Sequence, residues 1–368
     1  MRVHVRARHE RVIRIVREHG SLSIADVAAE LGVSMVTVRR DAGLLVSEGR
    51  LGRVHGSLVW PGSGRPAPTP AAAAPPLGEG TVVGMIVPTM GYSFSEVVQG
   101  AREVLDQRGA RLVLSLSGYL IEEDRNQVER LVAAGANGLL LTPGWEEGSP
   151  GAGEEDPVLA AASVPTVLVE RWTRPGSPAH DLDRVRSDSA FGAGAAVRHL
   201  AALGHRHLAL ALQSSPHAQQ LRAGFEDALA TLGLPEAPAL QAGPGRSVSE
   251  SERYDLTLEF LRRGVREHGI TAAFVHSDAD AVVLVPRLQA LGIRVPEDLA
   301  LVVYDDEVAG LSELPLTAVA PPKRAVGAQA ARLLLERLEG EPDRPRQHVE
   351  LLPQLRVRDS SGGGTAQI

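Results

Sequence analysis

An α/β core behind a small helical head is the fold class predicted, and three observations predict it. From Thr81 onward, short apolar runs alternate with helical stretches, many of which close at Gly. That alternation belongs to parallel sheets covered by helices on both faces. Residues 1–60 carry ten Arg against six Asp and Glu, a balance of +4, while the whole chain is at −7, which leaves −11 for the remaining 308 residues. Between the two regions, Pro61 to Gly80 holds six prolines and four consecutive alanines. Such a segment buries too little to fold and reads as an extended spacer. The expected organisation is therefore a head over 1–60, a linker over 61–80, a core over 81–358 and a flexible tail over 359–368.

In the head, residues 8–19 form a first helix with Val12, Ile15 and Val16 on one stripe and Gly20 closing it. Ser23 can cap a second helix in which Ile24, Val27, Ala28 and Leu31 repeat at helical spacing. Gly32 makes the tight turn, and Ser34 caps a third helix that Gly49 ends. On that helix Val38, Ala42 and Leu45 share one face and can dock on a core, which leaves Thr37, Arg39 and Arg40 elsewhere. A hydroxyl and two guanidiniums near a helix N-terminus suit the major groove, where Arg bridges guanine edges and both groups hold phosphates. Arg50 to Trp60 is strand-like around His55-Gly56 and reads as a hairpin wing presenting Arg50, Arg53 and His55 to phosphate or minor groove.

In the core, strands are predicted at Val82–Val87, Arg111–Leu116, Gly138–Leu141, Thr166–Val169, His207–Leu212, Ala272–His276 and Leu299–Tyr304. Helices between them close at Gly109, Gly135, Gly204, Gly233 and Gly292. About 275 residues exceed one comfortable core, so two lobes are expected, with a cleft at the carboxyl ends of their strands.

Composition removes several functions. With no Cys there is no disulfide frame, thiol nucleophile or Cys-based zinc site. No apolar run reaches the ~18 residues of a membrane span, and the charged start lacks a signal peptide's apolar stretch, so a cytoplasmic protein is expected. No H-E-x-x-H, Walker loop or dinucleotide fingerprint occurs, and Gly62-Ser63-Gly64 follows no strand, so no enzyme and no cofactor are expected. His205 and His207 read as the start of a strand rather than a metal pair. Asp188 reads as the cap of a helix from Ser189, and Glu122–Arg130 as a solvated helix face. Trp145 and Trp172, each just after a strand, divide between cleft lining and packing. Lys323, the only lysine among 38 basic residues, reads as compositional bias rather than function.

The head resembles the DeoR-type winged helix-turn-helix over about the first 57 residues. The matching pieces are Leu31-Gly32-Val33-Ser34, Thr37-Val38-Arg39-Arg40-Asp41 and Gly49-Arg50-Leu51-Gly52-Arg53-Val54-His55-Gly56. Gly43, where the family has a helix former, and Ser57, where it has a second wing glycine, depart from the pattern. The region 80–358 resembles the effector core of LacI/GalR repressors and ribose-type periplasmic binding proteins. Its motifs include Ser95-Glu96-Val97-Val98-Gln99-Gly100, Gly204-His205-Arg206-His207, Val295-Pro296-Glu297-Asp298-Leu299-Ala300 and Tyr304-Asp305-Asp306. The resemblance implies three crossings between the lobes, near 178, 318–322 and 346. It also implies an N-lobe of about 81–177 with 322–345, and a C-lobe of about 178–318 with 346–358.

Carried over residue by residue, it implies a cleft using Tyr92, Phe94, Glu170, Arg171, Trp172, Arg222, Ser277, Asp278 and Asp305. Carboxylates and Arg would pair with hydroxyls, and an aromatic face would cover the C–H side, a set that fits a polyol. Leu221 stands where the family has its cleft Arg, with Arg222 one step on, and Ser277 replaces an Asn. The expected function is a sequence-specific DNA-binding regulator. The first choice is a repressor of a carbohydrate-utilisation operon, dimeric on double-stranded operator DNA and controlled by a sugar-like effector. The alternatives are an activator, a sensor of a nucleoside or sugar phosphate, and, more remotely, an enzyme on the same fold. The prolines at 66, 68, 70, 75 and 76 forbid a regular helix between head and core. A coupling route other than the LacI-type hinge helix is therefore expected.

Overall fold

A computed structural model describes residues 5–19, 21–33, 35–47, 50–54, 57–59, 80–91, 94–145, 150, 163–242, 249–340 and 344–362. The chain divides into two compact units, Met1–Pro75 and Pro76–Ile368. The linker expected over 61–80 lies, up to residue 79, outside the described residues, as do Gly20, Gly49 and Gly56.

The first unit holds helices α1 (Val5–His19), α2 (Ile24–Leu31) and α3 (Met35–Ser47). Its strands are β1 (Ser21–Ser23), β2 (Gly52–Val54) and β3 (Ser57–Val59), in the antiparallel order β1-β3-β2. The hairpin of β2 and β3 is the expected wing, and β1 completes its sheet. Val38, Ala42 and Leu45 of α3 pack with Val12, Val16, Val27, Ala28, Leu51 and Leu58, as the helical spacing requires. Gly32 turns the chain at φ +67, a backbone that side chains other than Gly rarely adopt.

The second unit is two lobes. The first sheet has the order β14-β8-β7-β6-β4-β5, from β4 (Val82–Val87), β5 (Arg111–Leu116), β6 (Gly138–Leu141), β7 (Thr166–Val169), β8 (Asp183–Ser187) and β14 (His348–Leu351). Its helices are α4 (Phe94–Gln107), α5 (Ile121–Ala133) and, returning late in the chain, α10 (Lys323–Glu339). The second sheet has the order β10-β9-β11-β12-β13-β15. Its strands are β9 (Leu208–Gln213), β10 (Ala239–Ala242), β11 (Ala272–His276), β12 (Ala300–Tyr304), β13 (Thr317–Ala320) and β15 (Gln354–Arg356). They are flanked by α6 (Ser189–Ala202), α7 (Ala218–Thr231), α8 (Glu250–His268) and α9 (Asp278–Ala290). All pairings are parallel except β13 with β15.

The crossings correct the sequence reading at two of three places. Both β8 and β14 join the first sheet, so the chain crosses at 188, at 321–322 and at 352–353, rather than near 178 and 346 for the first and last. Buried Asp183 explains the placement. Arg337 Nε and Nη2 of α10 donate to its two oxygens at 2.9 and 3.0 Å, and the Gln347 N–H donates to it at 2.8 Å. One carboxylate thereby ties β8, α10 and the approach to β14. The tail is corrected too. Ser360 Oγ donates to Leu301 O at 2.7 Å and Ser361 Oγ meets Thr317 Oγ1 at 2.7 Å, so 359–362 pack on the second lobe. On α5, Asp124 and Gln127 are buried, so that face is not wholly solvated.

Two helix contacts have no room for a side chain. A Cβ on Gly100 of α4 would lie 1.9 Å from Arg324 O, and one on Gly327 of α10 would lie 1.8 Å from Val97 O. Gly43 is the opposite case, exposed in α3 with nothing within 4 Å of a Cβ. Gly43→Ala is expected to stabilise the head by about 0.5–1 kcal/mol by removing backbone entropy from the unfolded chain. Gly327→Ala is expected to destabilise the core by about 1–3 kcal/mol or more through overpacking. Denaturant unfolding of the full chain tests both signs.

Candidate functional site

Two surfaces carry chemistry. On the head, Arg40 of α3 and Arg50 before the wing are exposed, Thr37 is half-buried, and Arg39 and Arg53 lie in α3 and β2. Ser34 and His55 lie outside the described residues. Asp41, in the middle of the same helix, points inward. Arg8 of α1 donates to it through Nε and, at 3.1 Å, through Nη2, and His9 Nε2 lies 3.2 Å from Oδ1. Burial pushes the Asp41 carboxyl up, but the hydrogen bonds from Arg8 and His9 outweigh it and leave it below the usual range. The bond fixes α3 against α1 and so holds the exposed arginines in place.

In the core, the carboxyl ends of β7, β8 and β12 face one another across the lobes. Glu170 follows β7 and Asp305 follows β12, both in the left-handed region, at φ +52 and +75. Non-Gly residues there are strained, and such strain collects at ligand sites. Two adjoining cavities share Glu170, Ser187 and His217. One, of about 20 Å³, adds Phe94, Tyr304, Asp305 and Lys323. The other, of about 10 Å³, adds Arg171, Trp172, Arg186 and Gln220. Each has room for little more than a water, so the lobes are closed and must part to admit a larger molecule.

The groups lining this cleft are held firmly. Glu170 accepts from the Ser187 N–H at 3.0 Å and from Ser187 Oγ at 2.7 Å, and burial raises its carboxyl despite those bonds. The buried Arg171 guanidinium donates to Pro143 O at 2.6 Å and to Glu170 O at 2.8 Å, and burial lowers it to about 10. Asp305 is pushed up by burial but pulled below its ordinary value by Lys323, whose Nζ lies 2.7 Å away. Burial drives His217 down to about 3, so its ring is neutral. Tyr304 Oη lies 2.8 Å from Ser189 Oγ, which lies 3.2 Å from His217 Nδ1. The cleft therefore offers hydroxyls, a neutral imidazole, a guanidinium and carboxylates around an aromatic ring.

The sequence-predicted residues divide. Phe94, Glu170, Arg171, Trp172 and Asp305 come together. Asp278 does not line either cavity. It accepts the N–H groups of Glu307, Val308 and Ala309 at 2.8–3.0 Å and so shapes the loop after β12. Ser277 is buried beside it, away from both cavities. Arg222 pairs with Glu226 one turn along α7 and points away, while Gln220 and His217 at the start of that helix face the cleft. Trp145 packs in the first-lobe core. Tyr92 lies outside the described residues. Asp188 caps α6, accepting from the Phe191 N–H at 2.9 Å. His217, Tyr304, Ser187, Ser189 and Lys323 were missed. Of these only Lys323 carried a signal, as the sole lysine.

Comparison with known proteins finds a separate match in each of the two units. Residues 8–63 match the DeoR-like helix-turn-helix domain, and residues 197–361 match the periplasmic binding protein-like domain. The chain is 27% identical over 343 residues to the arabinose metabolism transcriptional repressor of Geobacillus stearothermophilus, covering 91% of this chain and 90% of that protein. It is 28% identical over 350 residues to the HTH-type transcriptional repressor PurR of Aliivibrio fischeri, covering 92% and 98%. Among solved structures, transcription regulator GntR from Chromobacterium violaceum superposes with a TM-score of 0.63 at 25% identity, over 77% of this chain and all of that one. The lac repressor dimer bound to operator and the anti-inducer ONPF gives 0.63 at 23%, over 76% and 93%, a likeness of fold.

The Asp41 bond predicts a pH dependence. A carboxyl held below its unfolded value contributes stability that is full above about pH 4 and lost as pH falls through the folded value. Asp41→Asn should cost about 1–2 kcal/mol at pH 7. It should also remove that part of the acid-induced loss, as read by circular dichroism of denaturant unfolding at pH 7 and pH 3.

Proposed function

We propose that this chain, which joins a DeoR-like helix-turn-helix domain to a periplasmic-binding-protein-like core, is a sequence-specific DNA-binding transcriptional repressor. The observation that carries the reading is the pairing, on one chain, of a head presenting Arg40 and Arg50 with a two-lobed cleft walled by buried charged groups. The repressors to which it is similar over nine-tenths of its length support the same reading. A DNA-binding regulator of this kind works in the cytoplasm, and it is not an enzyme.

In this reading α3 lies in the major groove, with Thr37, Arg39 and Arg40 at base edges and phosphates and Ser34 at the helix cap. The wing residues Arg50, Arg53 and His55 hold the flanking backbone. The core binds a small polyhydroxylated effector, a sugar of a carbohydrate-utilisation system, between Arg171 and Trp172 on one lobe and Asp305 on the other. Closing on the effector changes the angle between the lobes, and that change reaches DNA through the head. Two copies act together on a roughly palindromic site. Leu114, Leu116 and Leu120, exposed along and just after the edge strand β5, support a surface for a second copy.

Operator selection from genomic fragments, followed by titration of the full chain onto the selected site, tests the reading. Arg40→Ala should weaken specific binding by about 1–3 kcal/mol if the side chain reads a base. If it holds a phosphate, affinity should fall on all sequences and the salt slope should drop by about one. Equal binding of the wild type to selected and random DNA would refute sequence-specific recognition.

A neutral sugar should lower operator affinity of the wild type, and Arg171→Ala should remove that response while leaving effector-free DNA binding intact. A wild-type response in Arg171→Ala would place the effector elsewhere.

A further inference from the structure

Lys323 stands in the first turn of α10, a first-lobe helix, directly after the Pro321-Pro322 crossing. Its Nζ lies 2.7 Å from Asp305 Oδ1 and 2.8 Å from Glu307 Oε1, both in the loop after β12 of the second lobe. Lys323 is 9% exposed and Asp305 8%, so the pair is taken largely out of water. Both residues line the same cavity as Glu170, Ser187 and His217. Every other basic residue of the chain is Arg. A compact ammonium can sit between two carboxylate oxygens at this spacing, whereas a planar guanidinium fork needs more width and a fixed plane. The chemistry of the position therefore explains the single lysine where composition does not.

The charges around the cleft come in opposed sets. Lys323 faces Asp305 and Glu307, and Arg186 faces Glu350 at 2.5 Å. Arg171, by contrast, donates only to the main-chain oxygens of Pro143 and Glu170, and its buried Nη2 has no partner among the described residues. An amine would find the Asp305 carboxylate already neutralised.

We propose that Lys323 sets the effector class: by neutralising Asp305 across the lobes, it removes that carboxylate as a docking point for an amine, so that the cleft takes uncharged polyhydroxylated ligands and rejects amino sugars. This rests on the reading of the cleft as the effector site. It adds a specificity-determining residue.

The test is isothermal titration of the full chain with a panel of neutral pentoses and hexoses and their 2-amino-2-deoxy counterparts. The wild type should bind at least one neutral sugar, and bind its amino counterpart roughly tenfold or more weakly. Lys323→Met frees the Asp305 charge, so the order should invert in favour of the amino sugar. Lys323→Met with Asp305→Asn removes both charges and should restore the preference for neutral over amino sugar. If the single variant does not fold, the double variant should recover folding, because the only charge it leaves without its partner is that of Glu307, the more exposed of the two carboxylates.

Tighter wild-type binding of an amino sugar than of its parent sugar, no binding of any neutral sugar, an unchanged order in Lys323→Met, or a double variant that fails to recover would each overturn the proposal. Specific DNA binding is measured on the same preparations. Its loss alongside an intact sugar order sinks the repressor reading and leaves this one standing.

Discussion

The core depends on one constraint, which is that α10 must bury its face against α4. The backbones meet so closely at Gly100 and Gly327 that neither position has room for a Cβ. The α10 helix comes after the whole second lobe in sequence, yet its apolar residues Val326, Ala330, Ala331 and Leu334 belong to the first-lobe core. Satisfying that contact forces the chain back across the molecule at Pro321-Pro322. The crossing then delivers Lys323 to the mouth of the second lobe, 2.7 Å from Asp305. A packing requirement between two helices thus places a charge in the cleft.

The cleft combines strain, burial and balance. Glu170 and Asp305 occupy corresponding places, each the residue after a parallel strand and each in a left-handed backbone. In open α/β sheets ligands collect at these strand ends. Buried charges cost several kcal/mol each unless paired. Here the pairs run both within a lobe, as with Arg186 and Glu350, and between lobes, as with Lys323 and Asp305. Parting the lobes to admit a ligand exposes the interlobe pair to water and weakens it. Ligand entry and the lobe angle are therefore linked through the same groups.

The head solves a smaller problem of the same kind. A helix that presents arginines outward must be held by something on its inner side. Val38, Ala42 and Leu45 supply apolar burial, and Asp41 supplies a directed bond to Arg8 and His9. The apolar stripe fixes which face is in, and the charged bond fixes how α3 sits against α1.

Local pattern was enough for much of this. The strands β4, β6, β7, β9, β11 and β12 are continuous apolar runs, buried on both faces, and a run of that kind can be read from its own residues. The helix-closing glycines at 109, 135, 204, 233 and 292 all have positive φ, a conformation their residue type announces.

Sequence also placed Glu170, Arg171 and Asp305 correctly as residues that follow strands. It could not show that β8, Asp-Arg-Val-Arg-Ser, is a buried inner strand, because its charged residues are satisfied by Arg337 and Thr173, distant or on another element. Nor could it show that Asp278 is spent on three backbone amides, or that Lys323 meets Asp305. Alternation and apolarity are properties of neighbours in sequence. Which polar groups end up facing each other is decided only when segments far apart in the chain are packed together.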